Sequence, residues 1–171
     1  LIGMAFHASA EDWSSDLPEP WRSPEAVVAG QDGHTFYVAE KNARRAAKLE
    51  GEPAAVRFRV PFLGEPTGLA LSMDDRVLYV TCSRPSEGLC AVDTGTMKQL
   101  YTLPAGAGAC SPVLSRDGKT IIVCNRFENS VSQIDLNTKI EIHCFPVSRE
   151  PIAAALTPDG KTLAVAHHLP A

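Results

Sequence analysis

Residues 65–82 read EPTGLALSMDDRVLYVTC: an apolar stretch, an Asp-Asp pair and a second apolar stretch. Asp and Gly tolerate the positive φ angles of tight turns, so this pattern is typical of a β-hairpin. Three further segments share its order of features: SPEAVVAGQDGHTFYVAE (23–40), GACSPVLSRDGKTIIVCN (108–125) and EPIAAALTPDGKTLAVAH (150–167). Their spacing is nearly constant, at 42, 43 and 42 residues between the turn aspartates Asp32, Asp74, Asp117 and Asp159. The sequence therefore contains a four-copy repeat.

Each repeat continues into two more predicted strands. The third strand ends in an acidic turn, as in CAVDTGT (90–96) and SQIDLNT (132–138), and Glu50 stands at this position in the first repeat. The fourth strand alternates apolar and polar residues, most clearly in AVRFRV (55–60). Four short antiparallel strands per repeat are typical of a β-propeller blade. We therefore expect an all-β propeller of four-stranded antiparallel blades.

Paired helices are the alternative architecture, because helix-pair repeats have similar periods. The β-branched residues and the Asp-Gly turns disfavour long helices. Only EKNARRAAKLEG (40–51) has a helix-forming composition. The repeat requires a third strand in this stretch, so we predict a hairpin there with at most one helical turn.

The blades are predicted at residues 23–62, 65–104, 108–147 and, incompletely, 150–171, after an N-terminal segment of residues 1–22. Propellers close with roughly 4 to 8 blades, so about three and a half blades cannot close a ring. An open array would expose apolar faces and strand edges. We expect a fragment of a longer protein, a chain paired with a polypeptide that carries the missing blades, or two copies that close a seven-bladed ring.

Composition and charge exclude several classes of protein. The 171 residues carry a net charge of −4 and are 44% hydrophobic, which suits a globular fold. Lys and Arg are not clustered, so we expect no nucleic-acid partner. No apolar run reaches the roughly 20 residues that a membrane span needs.

The N-terminal stretch LIGMAFHASAEDW (1–13) passes from apolar residues through Ala-Ser-Ala to acidic residues. This order resembles the end of a secretory signal peptide and its cleavage site. The alternative is a short N-terminal strand. We expect an exported protein of the periplasm or cell surface.

The approach to the innermost strand of a blade carries a glutamate in three repeats: Glu25, Glu65 and Glu150. Carboxylates that meet around a propeller channel could bind a cation or a polar ligand. The alternative is that Glu-Pro shapes the entry into the strand. His167 ends the last predicted strand and is the fourth candidate for ligand binding, against a role as a hydrogen-bonded loop histidine.

Five cysteines leave at least one thiol unpaired within the chain. Cys82 and Cys90 flank a seven-residue loop and nearly oppose each other, so they could form a disulfide in an oxidising compartment or remain two buried thiols. No spacing matches a zinc or iron–sulfur site, and C-x-x-C-H is missing from the sequence. The sequence assigns no metal, no cofactor and no catalytic residue.

The repeat resembles the YVTN-type β-propeller family. The tetrad of that family falls in phase on Tyr37–Glu40, Tyr79–Cys82, Ile122–Asn125 and Ala164–His167, within residues 23–171. The resemblance implies an exported and often seven-bladed propeller. Proteins that look like this include surface-layer proteins, lactonase-like enzymes and redox proteins joined to c-type haem domains.

Two functions are consistent with these features. The regular repeat without a catalytic set predicts a non-catalytic scaffold that binds a protein, a glycan or a small molecule. The alternative is the propeller part of a redox or hydrolytic enzyme, whose haem, metal or lactonase-like elements lie outside this segment.

Overall fold

The computed structural model describes residues 23–84 and 88–168, so the predicted signal-peptide remnant lies outside the described residues. The first sheet contains β1 (Pro24–Ala29), β2 (Thr35–Glu40), β3 (Arg45–Glu50) and β4 (Ala55–Pro61). The second contains β5 (Glu65–Leu71), β6 (Val77–Ser83), β7 (Gly88–Asp93) and β8 (Lys98–Leu103). The third contains β9 (Ala109–Leu114), β10 (Thr120–Asn125), β11 (Ser130–Asp135) and β12 (Ile140–Pro146). Two further strands, β13 (Pro151–Leu156) and β14 (Leu163–His167), form a fourth sheet.

Neighbouring strands of every sheet are consecutive in the chain and antiparallel. The described residues therefore form three four-stranded blades and half of a fourth, which confirms the predicted partial β-propeller. The stretch of helix-forming composition contains β3, as the repeat requires. No helix in the described part of the chain is long and apolar enough to cross a membrane.

The first hairpin of each blade is held by its turn aspartate. In the third blade the Asp117 carboxylate accepts the Lys119 N–H at 3.1 Å and the Ser115 hydroxyl at 2.7 Å. Gly118 adopts a φ of 69°, which a residue with a side chain rarely adopts. The same hydrogen bonds recur at Asp74 and Asp159.

The blades pack face to face through two apolar clusters. Between the first and second blades, Tyr37 and Val60 pack with Leu78, Val80 and Val92. Between the second and third blades, the packed residues are Leu89, Leu103, Ile121, Val123 and Ile134. The inner strand β5 contacts β1 on one side and β9 on the other, and β9 contacts β13. The four inner strands therefore lie side by side along the channel of the propeller.

The outer face of the third blade differs from those of its neighbours. Val60 and Leu103 hold the same repeat position in β4 and β8 and are 4% and 5% exposed. The equivalent residue of β12, Phe145, is 50% exposed. The first three sheets have four strands each, whereas the sheet of β13 and β14 has two strands in the described residues. The blade that follows the third one is therefore incomplete in the described residues.

Candidate functional site

One cavity lies where the four inner strands begin. Its lining includes the third residue of each 18-residue repeat segment: Glu25, Thr67, Cys110 and Ile152. The cavity measures about 120 Å³, and we call it the channel mouth. The Thr67 hydroxyl donates a hydrogen bond to the Ala109 carbonyl at 2.5 Å, which ties β5 to β9 at this point. Every described blade therefore contributes a side chain to the same cavity.

A second repeat position brings polar side chains to the channel mouth. It follows the tetrad in each blade and is occupied by Lys41, Ser83, Arg126 and His168. Lys41, Ser83 and Arg126 line the cavity. Because the second strand of each blade runs antiparallel to the inner strand, the end of one lies beside the start of the other. The repeat thus places a cationic side chain at the mouth in the first and third blades.

Two of the three predicted carboxylates, those of Glu25 and Glu150, lie beside these cations. The Lys41 ammonium is 3.5 Å from a Glu25 carboxylate oxygen. Arg126 reaches from the third blade to Glu150, with 3.0 Å between Nη2 and Oε2, and His168 Nδ1 is 3.5 Å from the same oxygen. The hydrogen bond from Arg126 holds the pKa of Glu150 below its usual value, although burial opposes this shift.

The three glutamates do not share one repeat position. Glu65 and Glu150 are the first residues of their segments, whereas Glu25 is the third. Glu150 is paired with Arg126, and Glu25 is paired with Lys41. Among residues 23–84 and 88–168, no group of three or more His, Cys, Asp or Glu could hold a metal ion. Ligand binding by these glutamates stays a prediction, with Glu25 the one that lines the channel mouth.

Phe127 gives the channel mouth an exposed apolar wall. Its ring is 54% exposed and lies between the guanidinium groups of Arg84 and Arg126, whose carbons are 5.8 and 5.6 Å from the ring centroid. Gly108 has a φ of 72°, and a Cβ there would lie 2.7 Å from the Phe127 ring. Glycine at position 108 therefore lets the ring pack directly on the backbone.

The last tetrad position is filled differently in each blade. Buried Glu40 pairs with Arg45 across β2 and β3. Asn125 donates hydrogen bonds to the Ser130 and Ser132 hydroxyls at 2.9 and 2.7 Å. Its side-chain carbonyl also accepts the Gly106 N–H at 3.1 Å. The equivalent His167, predicted as a ligand residue, has Nδ1 3.2 Å from the Arg149 carbonyl, and its role in binding stays a prediction.

Cys82 holds this position in the second blade, and its thiol interacts with that of Cys90. This contact raises the pKa of Cys82 and lowers the pKa of Cys90 to about 7. Both thiols are buried and unlinked in this structure, so the disulfide stays a prediction for oxidising conditions. At the channel mouth, burial raises the pKa of Cys110 to about 11 against the effect of Arg126. Cys110 is therefore a poor nucleophile at neutral pH.

A larger cavity adjoins the channel mouth. It measures about 240 Å³, and Ala26, Leu69 and Pro112 contribute to its lining. Glu25, Thr67 and Ile152 line both cavities, so the two spaces are adjacent. A Cβ on Gly68 would lie 2.5 Å from Pro112 Cδ, so glycine is needed for the close approach of β5 and β9.

Sequence reasoning missed Lys41, Arg126 and Phe127. One feature of the sequence could have identified Lys41 and Arg126. Each of them follows the tetrad of its blade by one residue. Nothing in the sequence indicated that Arg84 and Arg126, which come from different blades, flank the same aromatic ring.

These blades, with inner strands that converge on a charged cavity, define a partial β-propeller with a candidate binding site at its channel. Solved propeller structures share this fold. The chain is similar to a Kuenenia stuttgartiensis hydrazine synthase structure, with a TM-score of 0.79 and 20% identity over 89% of this chain and 44% of that chain. A candidate 6-phosphogluconolactonase from Bacteroides uniformis gives a TM-score of 0.75 and 20% identity, over 84% of this chain and 47% of that chain.

A third similar structure is a chain of the mitotic checkpoint complex, with a TM-score of 0.77 and 16% identity over 85% of this chain and 46% of that chain. The chain thus spans less than half the length of each of these three structures. No protein-family model matches the sequence, and none of the curated proteins compared with it matches. At these identities the likeness shows the fold, and that fold occurs in enzymes and in scaffolds.

Proposed function

We propose that the protein is a non-catalytic, exported propeller scaffold of the YVTN type, and that its channel mouth binds a small ligand. The observation that carries this proposal is the convergence of one repeat position from all four described blades on one cavity. Channels and clefts with a few converging polar groups are the usual sites of ligand binding. Glu25 and Arg126 supply opposite charges there, and Thr67 and Ser83 supply hydroxyl groups.

The chemistry of the cavity favours binding over catalysis. Cys110 is the cysteine that lines it, and its raised pKa leaves the thiol protonated at neutral pH. Glu150 and Arg126 are engaged with each other, and the lowered pKa of Glu150 disfavours a role as a general base near neutral pH.

The test is a ligand screen on the intact natural protein by nuclear magnetic resonance. The panel contains glucose, N-acetylglucosamine, glutamate, succinate and 4-phenylbutyrate, and the readouts are the methyl signals of Ile152 and the ring signals of Phe127. We expect at least one member to shift both sets of signals. A panel that shifts neither set, or that binds only at the outer strands, would reject the proposed function.

The second candidate function is a propeller part of a redox or hydrolytic enzyme whose catalytic elements lie outside this segment. It is favoured by the presence of a hydrazine synthase and a candidate 6-phosphogluconolactonase among the similar structures. A Soret band in the intact natural protein would support the haem form. Hydrolysis of a sugar lactone by that protein, lost on removal of its other segments, would support the lactonase form.

Ring closure requires further blades, which we propose come from a longer chain or from a second copy in a seven-bladed ring. Light scattering after gel filtration of the 171-residue chain distinguishes these sources. A clean dimer favours closure by two copies. A monomer or a heterogeneous aggregate favours a longer chain.

Export to the periplasm or cell surface predicts oxidation of the interacting thiols of Cys82 and Cys90 to a disulfide. Peptide mapping of the natural protein, alkylated at harvest and kept non-reduced, measures this state. We expect a Cys82–Cys90 cross-link. Quantitative alkylation of both residues would argue against an oxidising compartment.

A further inference from the structure

The charged side chains that line the channel mouth carry a net positive charge. Lys41 and Arg126 are the cations in its lining, and Glu25 is the anion. Glu150 is not among the lining residues, although it contacts Arg126. Its contact with Arg126 holds the guanidinium in place at the edge of the cavity.

The ion pair between Lys41 and Glu25 is weak enough to be replaced. Its atoms are 3.5 Å apart, and the side chains are 33% and 38% exposed. Ion pairs with this exposure contribute little net free energy, because water and salt screen them. A ligand anion can take the place of Glu25 beside Lys41 at a small cost.

Apolar surface lies next to this positive charge. Phe127 is exposed at the mouth, and Ile152 is 40% exposed and lines both cavities. Leu69 and Pro112 line the adjoining space of about 240 Å³. Cationic and apolar side chains therefore line the same cavity, and further apolar side chains line the space beside it.

We propose that the channel mouth binds an organic monocarboxylate with an apolar body. Its carboxylate accepts hydrogen bonds from Lys41 and Arg126, and its body packs against Phe127 and Ile152 and extends into the adjoining cavity. Hydrogen bonds from charged donors to a carboxylate are about twice as strong as neutral ones, which gives the preference for an anion over a neutral analogue. This inference rests on the proposed function and names the class of ligand for the same site.

The test uses three probes of matched shape on the intact natural protein: 4-phenylbutyrate, 4-phenylbutanamide and 4-phenylbutylamine. Calorimetry measures the affinities, and the Ile152 and Phe127 resonances locate the probe. We expect the amide to bind about tenfold more weakly than the carboxylate, and the amine more weakly still. The resonances of both residues are expected to shift with the carboxylate.

Two lysine variants provide the matched comparison. Lys41→Met should weaken binding of 4-phenylbutyrate about tenfold and weaken binding of the amide less, since the ammonium forms a stronger hydrogen bond with the charged carboxylate than with the neutral amide oxygen. Lys161 is exposed in the turn between β13 and β14, at the opposite end of its blade. Lys161→Met should leave all three affinities unchanged within about twofold.

Different failures have different meanings. Equal affinity of the three probes at the Ile152 and Phe127 site would overturn the ligand class and leave the channel-mouth scaffold standing. Equal weakening by Lys41→Met and Lys161→Met would overturn the role of Lys41. Absence of all three probes from the site, together with no binding of glucose, N-acetylglucosamine, glutamate or succinate there, would overturn both this inference and the proposed function.

Discussion

The two ends of the blades follow different rules. At the turn end, the same aspartate accepts the same kinds of hydrogen bond in successive blades, as Asp74, Asp117 and Asp159 show. At the mouth end, equivalent positions hold chemically different residues, such as Glu40 and Asn125. The turn end repeats because each hairpin needs the same local geometry.

The turn aspartates form hydrogen bonds that are completed within one hairpin, whereas the mouth end joins side chains of different blades. A turn aspartate satisfies backbone groups within three residues of itself, so its role is complete inside one hairpin. Arg126 instead contacts Glu150 of the next blade and the ring of Phe127. The mouth end therefore combines side chains from separate blades into one surface.

The largest expected effect on stability at the mouth end comes from Asn125→Ala. The side chain is fully buried and makes three hydrogen bonds, so its removal leaves the buried hydroxyls of Ser130 and Ser132 and the half-buried N–H of Gly106 without this partner. We expect a loss of about 3 kcal/mol in the free energy of unfolding, measured by urea denaturation. A loss below about 1 kcal/mol would show that the varied tetrad position contributes little to the fold.

A smaller loss is expected from Asp117→Ala at the turn end. The variant removes the acceptor of the Ser115 and Lys119 hydrogen bonds in an exposed hairpin, where water can replace it. Glu141→Ala, on the exposed strand β12, is the control with a carboxylate outside the turns. Asp117→Ala should lower the melting temperature more than Glu141→Ala and less than Asn125→Ala. An Asp117→Ala effect as large as that of Asn125→Ala would show that water does not replace the exposed turn carboxylate as an acceptor.

Acid should weaken the turn end through Asp32. Hydrogen bonds from the Thr35 hydroxyl and from the backbone N–H groups of His34 and Thr35 lower the pKa of Asp32 from 3.8 to about 2. A depressed pKa in the folded state gives stability that is complete above pH 3.8 and is lost as the pH falls through about 2. The difference in stability between the wild type and Asp32→Asn should therefore shrink from pH 4 to pH 2. Denaturant unfolding of both proteins at each pH measures this difference. A difference that stays constant from pH 4 to pH 2 would contradict a stabilising role for the ionised Asp32 carboxylate.

The smallest effect on stability should come from Lys41→Met. The ammonium is partly exposed and its partner Glu25 is 3.5 Å away, so the change in unfolding free energy should stay within about 0.5 kcal/mol. Urea denaturation of this variant beside Lys161→Met checks the expectation. A loss above about 1 kcal/mol in Lys41→Met alone would assign Lys41 to the fold instead of to ligand binding.

The sequence predicted the fold well because the turn end repeats. The Asp-Gly hairpins and the constant spacing gave the blades, and the same register gave β3 in a stretch of helix-forming composition. The sequence pattern alone did not predict the bulge in β4. At this bulge, the successive β3 residues Lys48 and Leu49 pair with Phe58 and Val56 of β4, so the pairing register shifts. The bulge separates Val56 from Phe58 and Val60, so these apolar residues of the alternating pattern do not keep one continuous register.

The site was less predictable because it depends on contacts between blades. Glu25 could be selected from its place before an inner strand, and the structure places it in the cavity. The Arg126–Glu150 pair and the position of Phe127 between Arg84 and Arg126 depend on how adjacent blades stack. A one-blade pattern carries no information on that stacking.

Amide hydrogen exchange of the intact natural protein, with and without saturating 4-phenylbutyrate, tests most directly the claim that recognition lies at the mouth end. The account predicts added protection around residues 40–41, 106–110 and 126–128, and unchanged exchange at the turns of residues 32–35 and 117–120. Added protection confined to the turns or to the outer strands would contradict it.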